Sequence, residues 1–357
     1  MSTQTPAISE AIRRVALRQD LDAEEAERAF LEMIEGRASD VQKSAFLIGL
    51  RAKGETAAEV AGGVRALRRA MLAVASTDPD TLVDTCGTGG GSVTTFNIST
   101  AAAFVVAGAG VRVAKHGNRS FSSRCGSADV LEALGIKIDL GPGEMERVLA
   151  DVGLAFLFAP AFHPAMRHVG SVRRELGVPT IMNLLGPLTN PAGVRRQVVG
   201  VADPGLMSIV AGALADLGHL RALVVHGEPG LDELSPIGVT RCLRIDQGRV
   251  EEMSFDPQRE LGWNRFDVSD LAGGEPRDNA RLIEAILSGG GPSGARAAVV
   301  LNAAAGLYVA GVVEDLRDGV ALAGSVLDEG RARSVLEALR EAAPTAAGAG
   351  EAARPAQ

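Results

Sequence analysis

A glycine-rich stretch near residue 90 has the composition of a loop that binds phosphate groups. It reads Asp-Thr-Cys-Gly-Thr-Gly-Gly-Gly-Ser from Asp84 to Ser92 and follows two strand-like apolar residues. Its glycines allow backbone N–H groups to approach an anion closely. Asn97, Ser99 and Thr100 stand where a helix is predicted to begin, and the free N–H groups and positive dipole end of a helix attract anions. A glycine cluster alone is about as often a plain turn between a strand and a helix.

A second polar loop follows the next apolar strand, and its composition indicates the same kind of ligand. It begins with Lys-His-Gly-Asn-Arg-Ser at Lys115 and ends before a predicted helix at 128–134. Its cationic, donor and hydroxyl side chains form the mixture that holds several phosphate oxygens at once. They are Lys115, His116, Arg119, Arg124, Ser122, Ser123 and Ser127. Two such loops at consecutive strand ends of an α/β sheet predict one crevice at the carboxyl edge of that sheet.

Neither loop carries a nucleotide-binding fingerprint. The first lacks the Gly-Lys-Ser/Thr ending of a Walker loop, and it lacks the third glycine of the dinucleotide motif, expected near position 92. ATP and NAD are therefore disfavoured as ligands.

The segment from His163 to Pro191 contains a possible binding site for a second ligand. Arg173 lies ten positions after His163 on a predicted helix, so the two side chains can share a face and converge on a carboxylate or an aromatic ring. An arginine on a helix is more often simply solvated. Asn183 and Asn190 lie beside prolines that end regular structure, and they are expected to hold a rigid turn.

Adjacent carboxylates at Asp232 and Glu233 follow an apolar strand and lie in a loop bounded by glycine and proline. Such a pair in a surface loop is usually solvated. Mg²⁺, however, characteristically bridges one or two carboxylates to the phosphates of a substrate. Beside two predicted phosphate loops, a metal site is the better interpretation.

These segments together resemble the anthranilate phosphoribosyltransferase family. The resemblance extends from the N-terminal helices to about residue 340, and four motifs match in order. They are Gly87-Thr88-Gly89-Gly90 with Asn97-Ile98-Ser99-Thr100, Lys115-His116-Gly117-Asn118-Arg119 with Gly126-Ser127-Ala128-Asp129, Asn183-Leu184-Leu185-Gly186-Pro187-Leu188-Thr189-Asn190-Pro191, and Asp232-Glu233.

The resemblance implies a reaction and a set of contacts. The reaction is Mg²⁺-dependent transfer of the 5-phosphoribosyl group from phosphoribosyl pyrophosphate to the amine of anthranilate, giving N-(5-phosphoribosyl)anthranilate and pyrophosphate in tryptophan biosynthesis. The implied contacts of phosphoribosyl pyrophosphate are Gly87, Gly90, Gly91, Thr95, Asn97, Ile98, Ser99, Thr100, Lys115, His116, Gly117, Asn118, Arg119, Ser120, Phe121, Ser122, Ser123 and Ser127. The implied contacts of anthranilate are Gly87, Asn118, His163 and Arg173. The implied Mg²⁺ ligands are Ser99, Asp232 and Glu233, and the implied assembly is a homodimer formed through the N-terminal helices.

No catalytic nucleophile is predicted for this chemistry. Positive charge grows on the ribose and negative charge on the leaving pyrophosphate, so the protein chiefly needs cations and N–H groups around the pyrophosphate. The aryl amine is already nucleophilic, so positioning should matter more than base activation.

The chain departs from the family pattern at two positions. Gly91 stands where an aspartate often follows Gly90, which puts the number of bound Mg²⁺ ions in doubt. Pro179 stands where an arginine often precedes Thr180, which removes a cation from that corner.

Composition excludes several classes of partner. A net charge of −8 and a pI near 5.3 argue against general nucleic-acid or membrane binding, since the phosphate backbone requires a basic stripe. Three cysteines without metal-ligand spacing predict a reducing compartment, and we expect the cytoplasm. With 357 residues, 46% of them hydrophobic, the chain can form one large domain and one small domain.

Hydrophobic periodicity predicts the organisation of the chain. Residues 1–75 form an all-helical domain, expected to be rejoined by about 165–191. From 76 to 342 short β-branched runs alternate with helical patterns, which predicts an α/β domain with a mostly parallel central sheet that binds phosphoribosyl pyrophosphate. Three helical stretches are expected near 279–289, 296–310 and 315–342, and residues 343–357 are expected to be disordered.

Two alternative functions stay open at this point. A pyrimidine nucleoside phosphorylase would share the architecture, but it requires a Lys-His-Ser-Thr-Gly-Gly loop where this chain continues with Gly117-Asn118-Arg119. A non-catalytic relative that binds nucleic acid would not need the Asp232-Glu233 pair, and the acidic balance argues against it.

Overall fold

The computed structural model describes residues 5–76, 78–120 and 124–344. Three predicted substrate contacts, Phe121, Ser122 and Ser123, lie outside these ranges, as do residues 345–357 of the predicted tail. Ala343, which the sequence assigned to that tail, is buried instead, while Pro344 is exposed. The carbonyl of Ala343 accepts a hydrogen bond from Lys137 N at 2.7 Å, and Pro344 bridges to Ile136.

The chain begins with four amphipathic helices. Three of them begin with a capping box. In this motif the side chain of the residue before the helix accepts a hydrogen bond from the backbone N–H three residues later, and the side chain of that later residue accepts one from the backbone N–H of the first. Each such cap stabilises a helix start by about 1 kcal/mol. The helices are α1 (Ala7–Ala16), α2 (Ala23–Ile34), α3 (Asp40–Lys53) and α4 (Ala57–Ala70).

A seven-stranded sheet forms the centre of the remaining chain. Its strands in chain order are β1 (Val83–Gly87), β2 (Val113–Gly117), β3 (Leu154–Phe158), β4 (Arg196–Gly200), β5 (Arg221–Gly227), β6 (Thr240–Asp246) and β7 (Arg249–Phe255). The spatial order is β3-β2-β1-β4-β5-β6-β7, with β1 to β5 parallel and the last two pairings antiparallel. This confirms the predicted fold class.

Helices cover both faces of the sheet, and the apolar runs between strands form most of them. They are α5 (Ile98–Gly108), α6 (Ser127–Ala133), α7 (Pro142–Val152), α8 (Ala159–Phe162), α9 (Gly170–Leu176), α10 (Met182–Leu188), α11 (Met207–Asp216), α12 (Pro257–Leu261), α13 (Pro276–Leu287), α14 (Ser293–Ala310), α15 (Leu316–Asp328) and α16 (Arg331–Ala342). By length and composition α14 could cross a membrane, but 83% of it is buried inside the protein, as in the core helix of a globular domain.

Helices α9 and α10 share a hydrophobic core with α1 to α4. Val172, Ile181 and Leu185 are buried in the same cluster as Phe30. The contact is close at Gly63 of α4, where an added Cβ would lie 2.8 Å from Leu185 and 3.1 Å from Phe30. These contacts support the proposal that residues 165–191 belong to the helical domain.

Two element predictions differ from the structure. The stretch 315–342 is two helices, α15 and α16, because Gly330 adopts a left-handed φ of 72° between them. Strand β7 was not predicted, since its polar residues are mostly exposed and its hydrophobic period is weak.

Candidate active site

The first glycine loop uses its glycines in two different ways. Gly89 and Gly90 have φ values of 67° and 80°, a region that favours glycine. Gly87 and Gly91 are needed for space. A Cβ at Gly87 would lie 2.5 Å from Asp232 Oδ2, and a Cβ at Gly91 would lie 2.9 Å from the carbonyl oxygen of Gly230. The loop therefore lies directly against the segment that carries Asp232.

The carboxylates of Asp232 and Glu233 face the first loop and the start of α5. Asp232 Oδ2 accepts from Gly89 N at 2.8 Å, and Glu233 Oε1 accepts from Ser99 N at 3.2 Å. Burial raises the pKa of Asp232, and burial together with the charge of Asp232 raises the pKa of Glu233. Two partly buried carboxylates side by side are costly to ionise without a cation.

Lys115, on β2, also lies at this site. Its ammonium is buried and donates to the carbonyl of Thr85 and, at 3.3 Å, to Ser99 Oγ. It also acts electrostatically on Glu233. The structure thus joins Ser99, Lys115 and the Asp232-Glu233 pair, four residues that the sequence placed in three separate segments.

The residues around Ser99 hold the start of α5 rather than project freely. The side-chain amide of Asn97 donates to the carbonyl of Cys125 at 3.1 Å, and its oxygen accepts from Asn279 Nδ2 at 3.0 Å. Ile98 and Thr100 are buried, and Thr95 pairs with Ala272 in an isolated β-bridge. Asn97 therefore ties the two predicted phosphate loops together.

The second loop is narrow at its base. Asn118 N donates to Ser127 Oγ at 3.2 Å, and Ser127 Oγ donates to the carbonyl of Asn118 at 3.1 Å. A Cβ at Gly117 would lie 2.3 Å from Ser127 Oγ. Ser120 N donates to Asp129 Oδ2 at 3.2 Å, while Arg119 turns to carboxylates of α6.

The predicted shared helix of His163 and Arg173 is wrong. A short 3₁₀ turn, Pro164–His168, separates His163 from α9, since Pro164 begins a new element. His163 instead lies beside His116, with ring centroids 5.1 Å apart. Burial lowers the pKa of His116 to about 3 and that of His163 to about 4, so both rings are neutral near pH 7.

Arg173 makes no ion pair with any residue in the described ranges. Its guanidinium is half-buried, and burial lowers its pKa. The neighbouring Arg174 is exposed. An unpaired, partly desolvated guanidinium is a suitable partner for the carboxylate of a ligand.

Asp84 is a site residue to which sequence reasoning gave no role. Its buried carboxylate accepts from His116 N at 3.1 Å, Asn190 Nδ2 at 2.9 Å and Gln197 Nε2 at 3.1 Å. Burial raises its pKa, while these donors and Lys115 oppose that shift. Asp84 thus connects β1, β2, β4 and the turn at Asn190. The predicted turn is present only at Asn190, because Asn183 and Pro187 lie inside helix α10. Only the place of Asp84 at the start of the glycine loop could have indicated its role.

The Asp232-Glu233 pair fits a divalent cation on structural grounds. A cation there would stabilise two partly buried carboxylates, since the charge of Asp232 makes Glu233 harder to ionise. Among residues 5–76, 78–120 and 124–344 no cluster of three His, Cys, Asp or Glu side chains has metal-ligand spacing. The remaining ligands would therefore be the Ser99 hydroxyl, water and a phosphate substrate, a set that suits Mg²⁺.

Comparison with known proteins identifies close relatives along nearly the whole chain. Residues 79–333 match the glycosyl transferase family a/b domain, and residues 9–71 match the helical bundle domain of that family. The anthranilate phosphoribosyltransferase of Desulfosudis oleivorans is 49% identical over 93% of this chain and 98% of its own length. That of Moorella thermoacetica is 50% identical over 92% of this chain and 96% of its own length.

Solved structures give the same result. The anthranilate phosphoribosyltransferase of Thermus thermophilus has a TM-score of 0.87 and 43% identity, over 94% of this chain and all of that chain. The Saccharomyces cerevisiae enzyme in complex with phosphoribosyl pyrophosphate and Mg has a TM-score of 0.84 and 26% identity, over 95% of this chain and 98% of that chain.

Proposed function

The chain belongs to the anthranilate phosphoribosyltransferase family, and from this premise we propose how its residues carry out the family's reaction. It transfers the 5-phosphoribosyl group from phosphoribosyl pyrophosphate to the amine of anthranilate, a step of tryptophan biosynthesis. The observation that carries the proposal is the convergence of the glycine loop, Ser99, Lys115 and the Asp232-Glu233 pair on one edge of the sheet.

The donor site is proposed to lie between the two loops. Backbone N–H groups near Gly90, the start of α5 and the ammonium of Lys115 would surround the leaving pyrophosphate, where negative charge develops. The second loop, including Asn118 and Ser127, would bind the remaining phosphate. When bound at Ser99, Asp232 and Glu233, Mg²⁺ neutralises charge on the leaving group. No residue is required to bond covalently to the ribose.

The acceptor site is proposed near Asn118, His163 and Arg173. The guanidinium of Arg173, which has no ion pair in the described part of the chain, would hold the anthranilate carboxylate. This contact would aim the amine at the anomeric carbon. His163 and His116 are neutral and buried, and the Nε2 atom of each lacks a hydrogen-bond partner in the described part of the chain. Each neutral ring can accept a hydrogen bond from an aromatic amine or donate one to it, and neither carries the positive charge that would attract a phosphate.

The structure gives a physical reason for the glycine at position 91. A Cβ there would lie 2.9 Å from the carbonyl oxygen of Gly230 and 3.5 Å from Asp232 Oδ1. An aspartate would have to displace the backbone at Gly230, and it would bring a third carboxylate beside two that are already adjacent. We propose that this chain relies on Asp232 and Glu233 alone for its protein carboxylate ligands to Mg²⁺.

We expect Arg173→Ala to raise the KM for anthranilate by about 10- to 100-fold, because a charged hydrogen bond contributes roughly 1.5–3 kcal/mol. The KM for phosphoribosyl pyrophosphate should stay within about twofold of the wild-type value. Arg174→Ala is the matched control, since Arg174 is the next residue on α9 and is exposed. Steady-state kinetics with each substrate varied in turn would check this, and equal effects on both KM values would mark Arg173 as structural.

The proposed assembly is a homodimer formed through the N-terminal helices. Val41 and Ile48 lie seven residues apart on one face of α3 and are 79% and 38% exposed, and Leu17 at the end of α1 is 72% exposed. Sedimentation should give twice the 36.8 kDa mass of the chain, and Val41→Glu should shift the protein toward the monomer.

We also propose a cytoplasmic location, because the three cysteines are free.

One assay tests the reaction. The protein is mixed with phosphoribosyl pyrophosphate, Mg²⁺ and anthranilate, and the loss of anthranilate fluorescence is followed. Inactivity beside an active control enzyme would refute the proposed function. Inorganic phosphate with a pyrimidine nucleoside should give no phosphorolysis, which separates the phosphorylase alternative.

A further inference from the structure

We propose that Arg119, Asp129 and Glu132 form an anchor that closes the base of the second loop, and that Arg119 is a positioning residue rather than a ligand of the phosphates. The inference rests on the proposed function, since it concerns the loop assigned to phosphoribosyl pyrophosphate. It revises one contact implied by the family resemblance, that of Arg119.

The guanidinium of Arg119 donates three hydrogen bonds to carboxylates of α6. Nη1 donates to Asp129 Oδ1 at 2.8 Å and to Glu132 Oε2 at 2.6 Å, and Nη2 donates to Glu132 Oε1 at 2.9 Å. The Glu132 contact is the bidentate arrangement that gives arginine–carboxylate pairs their strength and direction. The guanidinium also lies over the ring of Phe158, 5.6 Å from its centroid.

Asp129 holds both ends of the same loop. Its Oδ1 binds Arg119, while its Oδ2 accepts from Ser120 N at 3.2 Å and from Gly126 N at 2.9 Å. Gly126 must be glycine here, because a Cβ would lie 2.2 Å from Ser120 N and 2.6 Å from the carbonyl carbon of Arg119. One carboxylate therefore fixes the entry and the exit of the loop.

Charge balance opposes phosphate binding by Arg119. Two carboxylates face one guanidinium, so the three side chains of the anchor together carry a net negative charge. The hydrogen bonds to Glu132 and Asp129 raise the pKa of Arg119. To reach a phosphate, Arg119 would have to give up three charge-assisted hydrogen bonds and leave two carboxylates beside the substrate. With the anchor intact, Asn118 and Ser127 at the base of the loop are held in place before the substrate binds, so ordering them adds no further cost.

The test compares Arg119→Ala, Glu132→Ala, the double variant and Arg119→Lys. We expect Arg119→Ala and Glu132→Ala each to raise the KM for phosphoribosyl pyrophosphate about tenfold, with kcat and the KM for anthranilate within about twofold. The double variant should be no worse than Arg119→Ala, since without Arg119 the Glu132 carboxylate has no contact left to lose in the anchor. Arg119→Lys should resemble Arg119→Ala, because lysine keeps the charge but not the bidentate geometry.

Glu337→Ala is the matched control, as Glu337 is an exposed helix carboxylate paired with Arg333 at 2.8 Å on α16, and it should leave both KM values unchanged. A phosphate ligand would behave differently: Glu132→Ala would leave the KM for phosphoribosyl pyrophosphate unchanged or lower it, and Arg119→Lys would retain most of the affinity. Either result, or an equal rise in both KM values, overturns the anchor. Inactive wild-type protein would instead refute the proposed function.

Discussion

Replacing Asp232 with asparagine and Glu233 with glutamine should reduce kcat/KM on the order of 10²- to 10³-fold, the loss typical of removing charge stabilisation at a leaving group. These variants keep the shape of both side chains. The effect should therefore come from lost charge and lost Mg²⁺ affinity, and not from collapse of the loop around Gly89. The rate is measured over a Mg²⁺ titration, because part of the loss should be recovered at high metal concentration.

The control is the adjacent exposed pair Glu251 and Glu252, changed to glutamine in the same way. These residues lie on β7 and pair with Arg244 and Arg241 at the surface. Their replacement should leave the rate within about twofold of the wild-type rate. Wild-type turnover by the Asp232-Glu233 double variant at saturating Mg²⁺ would show that the metal lies elsewhere.

Replacing Gly200 with alanine should reduce activity nearly as much as replacing Asp232 and Glu233. Gly200 ends β4, and a Cβ there would lie 1.6 Å from the carbonyl oxygen of Asp232. The Asp232 backbone must therefore move, and a displacement of about 1 Å in a catalytic group can cost about 100-fold in rate. We expect Gly200→Ala to lose activity by that factor while the protein remains folded, as judged by circular dichroism.

Gly324→Ala is the corresponding control. Gly324 lies inside α15, and a Cβ added there would have no heavy atom within 4 Å outside its own helix, so alanine should raise stability by about 0.5–1 kcal/mol and leave activity unchanged. If Gly200→Ala kept full activity, the close approach of Asp232 to β4 would have no catalytic importance.

The features predicted from sequence are those whose chemistry is local. Gly89 and Gly90 mark the first loop because glycine tolerates positive φ, and the strand-then-loop order places that loop at the carboxyl edge of the sheet. The Asp232-Glu233 pair stands out because adjacent carboxylates are poor packing material. The alternation of short apolar strands with helices was enough to predict the parallel sheet, and the structure confirms it.

The features that sequence could not predict depend on distant contacts. Asp84 looks like an ordinary polar residue until Asn190 and Gln197, more than 100 positions away, are placed beside it. Gly200 matters only because a loop 32 residues later lies on it. Arg119 looks available for phosphate binding until α6 supplies two carboxylates. In each case the local sequence pattern gives no indication of the contact, because the partner lies on another element.

The core that α9 and α10 share with α1 to α4 has a consequence for folding during synthesis. Helices α2 and α4 bury Phe30 and Gly63 against Leu185 of α10, yet Ala70 and Gly170 are 100 residues apart in the chain. At a synthesis rate of about 5–20 residues per second, α9 begins to emerge roughly 5–20 s after the first four helices have been made. During that interval their apolar faces are open to chaperones and to neighbouring nascent chains, so the contacts with α10 form only after strands β1 to β3 have been made.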